Sequence, residues 1–253
     1  MALFLALPVA ALVVRSVLEG ALREAFSDPA ILDAITLSLV TTSIALVLSL
    51  VFGLPLATVL ARRRFRGAAL VEAIVDLPSV LPPSVAGLGL LLIFGRRGVL
   101  GAPLDDLGIS IPFTTAAVVL AQVFVAAPFF IRSARTGLAA VDRDLEDAAR
   151  VDGASERRVY RHVTLPLAGT ALVAGLVMCW ARALGEFGAT IMFAGNIAGR
   201  TQTLPLAVYG EFNSGNLDAS IAAASILVLA AFVVLVIVRG IHSGRLLDLR
   251  AGG

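Results

Sequence analysis

The 253-residue chain contains no lysine: its 20 basic residues are all arginine, set against 18 acids. A phosphate-cradling P-loop needs lysine after its glycine-rich turn to reach a nucleotide's terminal phosphates. That motif is therefore excluded, and any ATP chemistry has to come from another chain. Cysteine is nearly absent as well. Cys179 stands alone inside an apolar run, which excludes a disulfide framework and a cysteine-built metal cluster and reads as a small core residue. The two histidines, His162 and His242, lie at the margins of apolar runs; there is no HExxH pattern, and no constellation from which catalysis could be built. Charge of either sign is scarce. Charged residues make up 15% of the chain and hydrophobic ones 58%, with a mean hydropathy of +0.95, more apolar than a soluble domain requires. A bilayer is the natural solvent.

The isoelectric point near 9.3 and net charge of +2 do not imply a nucleic-acid partner, because the arginines gather in short loops between apolar runs, as membrane orientation demands. A membrane helix needs about 20 mainly apolar residues. Such runs fall at about 2–18, 36–60, 70–94, 112–131, 163–183 and 220–238, which predicts an all-α transmembrane chain of six spans forming one domain over 1–253. The first run has no basic residue ahead of it and the chain stays hydrophobic afterwards, so it is read as a span, irregular around Pro8, rather than a signal peptide.

With six spans, one side of the membrane collects Arg62, Arg63, Arg64, Arg66, Arg132, Arg135, Arg143, Arg150, Arg157, Arg158, Arg161, Arg239, Arg245 and Arg250, fourteen in all. The other side holds six: Arg15, Arg23, Arg96, Arg97, Arg182 and Arg200. The richer side faces the cytoplasm. Both ends of the sequence and the segment 132–162 are therefore expected there, in a plasma or inner membrane.

The third run reads LPSVLPPSVAGLG, with Pro78, Pro82 and Pro83, and the fourth contains Pro128. Each proline removes a backbone donor, and broken backbone at membrane depth is tolerated only against protein or a water-filled cavity. The prolines thus mark either a pathway wall or a packing kink. Gly87, Gly89 and the small residues Ala222, Ala223, Ala224 and Ser225 offer close helix contacts.

The cytoplasmic segment DRDLEDAARVDGASERRVYRHVTLPLAG starts at Asp142 and is patterned as two short helices around Gly153. Glu146 with Arg150, and Arg143 with Asp147, are spaced to pair across one helical turn. Gly153 can end the first helix at positive φ, and Ser155 followed by Glu156 can cap the second. A solvated charged face would look similar, but the spacing goes further. Asp147, Ala148 and Ala149, then Gly153, nine intervening residues, and Val163, Thr164, Leu165 and Pro166 resemble the EAA loop of ATP-binding-cassette importer permeases. Asp147 departs from that family's Glu and Val163 from its Ile, which leaves open what Asp147 itself contacts. The resemblance implies a type I importer permease fold in which Asp147, Ala148, Ala149, Gly153, Ala154, Leu165 and Pro166 form a coupling helix and its exit, seated in a groove of a separate ATPase.

Beyond the fifth run lies RALGEFGATIMFAGNIAGRTQTLPLAVY, from Arg182 to Tyr209. Arg182 and Glu186 stand four apart and can pair; an intramembrane pair is either a structural tie or part of a pathway. Pro82, Pro83, Ser84, Arg182, Glu186, Gly188, Thr190 and Asn196 are the candidate pathway or gate residues. Together with LPSVLPPSVAGLGLLLIFGRRGVLG at Leu77 to Gly101, this stretch is similar to the molybdate branch of the importer permeases, whose relatives move sulfate and thiosulfate. The likeness runs from about Thr36 to Val238. GEFGA is shared across the oxyanion group, whereas FAGN, GRTQTLPLA and FGRRG lean toward molybdate or tungstate. The resemblance implies a homodimer, two ATPase subunits that bind ATP and Mg, no cofactor in this chain, and an external oxyanion-binding protein. Arg96, Arg97 and Arg200 are candidate docking residues for that receptor. A sulfate or thiosulfate permease is the nearest alternative. An ion-gradient transporter would need inverted repeats and midplane acids, neither of which is evident, and proline-rich spans with GEFGAT argue against a mere scaffold or sensor subunit.

Overall fold

The computed structural model describes residues 1–18, 20, 26–63 and 65–251. Arg23 and Arg64, and the side chains of Arg239, His242, Arg245 and Arg250, lie outside the described residues. Within them the chain forms helices and turns: α1 (Ala2–Leu18), α2 (Pro29–Arg62), α3 (Ala68–Val80), α4 (Pro83–Phe94), α5 (Gly101–Asp106), α6 (Thr115–Ala139), α7 (Arg143–Val151), α8 (Glu156–Val159), a π turn (Tyr160–Thr164), α9 (Leu165–Leu184), α10 (Gly188–Phe193), α11 (Leu204–Asn213) and α12 (Leu217–Ala251). Each expected run falls largely on helix. Among the described residues three stretches are long and apolar enough to cross a bilayer by themselves, Pro29–Arg62, Thr115–Ala139 and Glu156–Leu184; the apolar parts of the first and last helices, Ala6–Leu18 and Leu217–Val233, are shorter.

Helix α2 starts with Pro29 in its first turn and with Asp28 accepting from Ala30 N at 2.8 Å. Its 34 residues reach about 51 Å, well beyond the 36–60 expected from hydropathy. Thr41, Thr42, Ser43, Ser49 and Thr58 return their hydroxyl protons to carbonyls four residues back at 2.6 to 2.8 Å, so these polar side chains satisfy themselves within the helix. Helices α2, α6 and α9 share one core built on Ala57, Ala126, Phe130, Ala134, Leu138, Ala168, Cys179 and Ala183. Small residues let the backbones approach, and Ser133 on α6 donates to Ala171 O on α9 at 2.8 Å. A second cluster joins α4, α6 and α10, and a third joins α2, α11 and α12.

The structure departs from the hydropathy reading at three points. The run 70–94 is not one rod: α3 and α4 meet at a 115° bend. Pro82 and Pro83 are the cause, since neither can donate to the preceding turn, while Pro83 is well suited to open a new helix. The run 112–131 begins late and ends late. Thr114 caps α6 and the helix continues to Ala139, so Arg132 and Arg135 belong to the membrane helix rather than to the loop 132–162. The second helix expected around Gly153 is not short either, because α8, the π turn and α9 are continuous. Pro166 offers no N–H and its ring crowds the carbonyl four residues back. The chain accommodates it with a widened turn in which Leu165 N bonds to Tyr160 O, five residues back.

Candidate functional site

The charged segment from Asp142 onward is built as a helix, a closed turn and a helix. Asp142 begins α7 by accepting from Asp144 N at 3.0 Å. The helix ends in a Schellman motif: Gly153 N bonds to Arg150 O and Ala154 N to Ala149 O, both at 3.0 Å, with Gly153 at φ +86°, a conformation glycine adopts without steric cost. Asp147 and Ala148 are exposed, Ala149 and Ala154 half-buried, and Leu165 packs into the membrane core while Pro166 stays exposed. Ser155 stands at the start of α8 without a side-chain capping bond, so the expected cap is not made.

The expected ion pairs are also rearranged. Arg150 does not hold Glu146; its Nη1 bonds Asp147 at 2.6 Å and its Nε bonds Glu156 at 2.7 Å, across the Gly153 turn. The hydrogen bond to Glu156 comes first among the influences that raise the Arg150 pKa, and the same bond from Arg150 draws the Glu156 carboxyl below its ordinary value. Glu146 is instead buried and bound to Arg62 and Thr164. Sequence reasoning missed this acid. The available signal was helical phase, since Glu146 shares a face with Ala149 and Arg150, the half-buried residues of α7.

On the other side of the molecule the proline break and GEFGA come together. A β-carbon on Gly188 would stand 2.8 Å from Pro83 Cβ and 3.2 Å from Ser84 N, so α10 crosses α4 at its first turn. Glu186, 1% exposed, fixes the approach to this crossing. Its Oε1 accepts from Ala189 N at 2.7 Å, and Arg182 Nη1 lies 2.7 Å from Oε2. The Arg182–Glu186 pair is therefore a tie that caps α10. Thr190 is fully buried, and its hydroxyl meets no hydrogen-bond partner among the described residues. Pro82 and Ser84 are exposed beside the break. Asn196 lies apart from this group: it donates to Leu206 O at 3.2 Å and braces the loop leading to α11.

Arg96 and Arg200 line one cavity of about 490 Å³ with Ser110, Phe113 and Thr114; Arg97 is exposed and is not among its lining residues. Phe113 holds φ +61° there, an uncommon conformation for a bulky residue. Arg132 pairs with Asp76 and Arg135 with Glu72, both at 2.8 Å, contacts that spacing along the chain does not suggest. They tie α6 to α3, which buries no residue of its own. Among the described residues no cluster of three or more His, Cys, Asp or Glu could hold a metal ion.

Comparison with known proteins agrees with this architecture. The family described as "Binding-protein-dependent transport system inner membrane component" matches residues 49–247. The molybdenum transport system permease protein ModB of Mycobacterium tuberculosis (strain ATCC 25618 / H37Rv) is 41% identical over 231 residues, 91% of this chain and 87% of the relative. The protein of the same name from Escherichia coli (strain K12) is 45% identical over 178 residues, 70% of this chain and 78% of the relative. In fold, the chain is similar to a bacterial ABC transporter involved in importing the acidic polysaccharide alginate. That match has a TM-score of 0.70 and 18% identity, and covers 88% of this chain and 82% of the other. These matches mean that the chain, with its proline-broken helix pair α3–α4 and its closed helical turn at Gly153, belongs to the inner-membrane components of binding-protein-dependent transport systems.

Proposed function

We propose that this chain is the membrane-spanning subunit of an ATP-driven importer for a tetrahedral oxyanion, molybdate or tungstate. The relatives named for molybdenum transport supply the substrate class. The observation that carries the mechanism is the α7 segment, an exposed helix closed by the Gly153 turn and followed at once by α8, which runs without a break through the π turn into a spanning helix. That is what a separate motor needs in order to push on the membrane part.

The working complex pairs two copies of this chain with two ATPase subunits, which bind ATP and Mg, and with an external oxyanion receptor. This chain has no nucleotide site and needs no cofactor. The cytoplasm holds α7 and both ends of this sequence, and the cleft with Arg96 and Arg200 faces the receptor. When the ATPases close on ATP, α7 moves with them and the paired permeases open outward; hydrolysis returns the inward-facing state. The loaded receptor and the ATP-closed motor must prefer the same state, for a ligand shifts an equilibrium only through its differential affinity for the two conformations.

Reconstitution into proteoliposomes with the cognate ATPase and receptor provides the test. ATP-dependent uptake of molybdate or tungstate, lost when the ATPase is omitted, is the expected result. Uptake driven by an ion gradient without ATPase would sink the reading, and uptake confined to sulfate would move the substrate while keeping the machine.

A further inference from the structure

Glu146 is the one acid that the cytoplasmic segment hides, at 6% exposure. Its carboxylate joins three elements. Arg62, the last residue of α2, donates Nη1 to Oε2 at 3.0 Å and brings Nη2 to 2.8 Å from Oε1. Thr164, the last residue of the π turn, donates its hydroxyl to Oε1 at 2.5 Å. One turn back on the same face of α2, the hydroxyls of Thr58 and Tyr160 meet at 2.8 Å. Thr58 gives its proton to Leu54 O, so Tyr160 is the donor in that pair. Two tethers therefore bind one face of α2 to the segment that leads into α9.

Stability alone does not account for this arrangement, because a buried ion pair is often no better than an apolar replacement of similar volume. What it provides is geometry. Helix α7 is flanked by non-helical residues, 140–142 before it and 152–155 after it, where it could swing independently. The Arg150 pairs hold the segment to itself; among the described residues, the bonds from α7 itself that reach α2 are those of Glu146, joined by Tyr160 from the π turn. We infer that Glu146, Arg62 and Thr164, with the Tyr160–Thr58 bond, form the joint that delivers movement of α7 to α2 and α9 as one body. They are positioning residues for transport, separate from the exposed face that would meet the ATPase. This inference rests on the importer reading above.

The test uses the assembled complex in proteoliposomes and reads two quantities: ATPase subunit retained per permease, and anion taken up per ATP hydrolysed. In Glu146→Gln and Arg62→Ala the ATPase stays bound and the uptake per ATP falls about tenfold, within the usual range of coupling between sites. The double variant is no worse than either single one. Thr164→Ser keeps the wild-type ratio and Thr164→Val lowers it, a comparison that still decides the matter if the charge variants do not assemble. An unchanged ratio in variants that assemble overturns the joint, as does a loss of uptake that merely tracks loss of bound ATPase. Failure of the wild-type complex to show ATP-dependent uptake would instead remove the importer reading itself.

Discussion

Gly87 and Ala189 meet backbone to backbone: a β-carbon on Gly87 would stand 2.5 Å from the carbonyl oxygen of Ala189 and 2.8 Å from its Cα. Neither α4 nor α10 can yield there, because the atoms in the way are main chain rather than a side chain free to rotate. Gly87→Ala is therefore expected to force the two helices apart at a cost of about 1–3 kcal/mol, as overpacking does, and to lower uptake. Gly89, two residues on, has nothing within 4 Å, and Gly89→Ala should be silent in the same assay. Equal behaviour of the two variants in thermal unfolding and transport would contradict the crossing.

The cap on α10 makes a second prediction. Glu186 combines near-complete burial, an ion pair and a bond to Ala189 N. Glu186→Ala strands Arg182 and an unpaired N–H, and breaking a buried pair costs about 3–5 kcal/mol, so detergent-solubilised protein should melt far below the parent. Glu186→Gln keeps an oxygen for Ala189 N and should recover part of the loss. A Gln variant as poor as the Ala variant would mean that the charge, not the cap, carries the effect.

How much of this was legible beforehand follows from which forces leave a local trace. Hydropathy and the paired prolines marked the helices and the break at Pro82, and the charge pattern with Gly153 marked the helix, turn and helix from Asp142 onward, because each is a property of neighbouring residues. The partner of Glu146 was not legible: it depends on where Arg62 arrives, 84 positions away in sequence. The one-turn spacing from Glu146 to Arg150 suggested a local pair, but a buried carboxylate beside a guanidinium took precedence over a surface pair worth only a few tenths of a kcal/mol. The end of α6 was misplaced for a related reason. Arg132 and Arg135 look like loop residues by charge, yet Asp76 and Glu72 on α3 compensate them and let the helix run on.

A third prediction concerns pH at the Gly153 turn. Hydrogen bonding from Arg150 holds the Glu156 carboxyl below its ordinary value of 4.5. The clamp is thus complete at and above that value and is lost as pH falls through the lowered one, the behaviour of a carboxylate favoured in the folded state. A spin label at Asp152 should show constant mobility from pH 8 to pH 5 and loosen only in stronger acid, whereas Glu156→Gln should loosen it at neutral pH. A transition between pH 5 and 8 would assign the turn's stability to some other group.

The exposed side of α7 supports the fourth prediction. Val151 is 87% exposed and Leu145 51% exposed, on a helix otherwise rich in charge, and an apolar residue left so open at a helix end touches little of its own chain. In the proposed complex that side chain is covered by the ATPase. Val151→Asp would then bury an uncompensated carboxylate at the contact, and affinity for the ATPase should drop at least about tenfold, the scale of a central interface residue. The permease alone should melt as the parent does, because within its own fold Val151 loses almost nothing. Copurification and titration of the ATPase against both proteins measure this directly. Unchanged affinity would mean that the motor grips α7 elsewhere, and Asp147 with Ala148, also exposed, would become the next residues to vary.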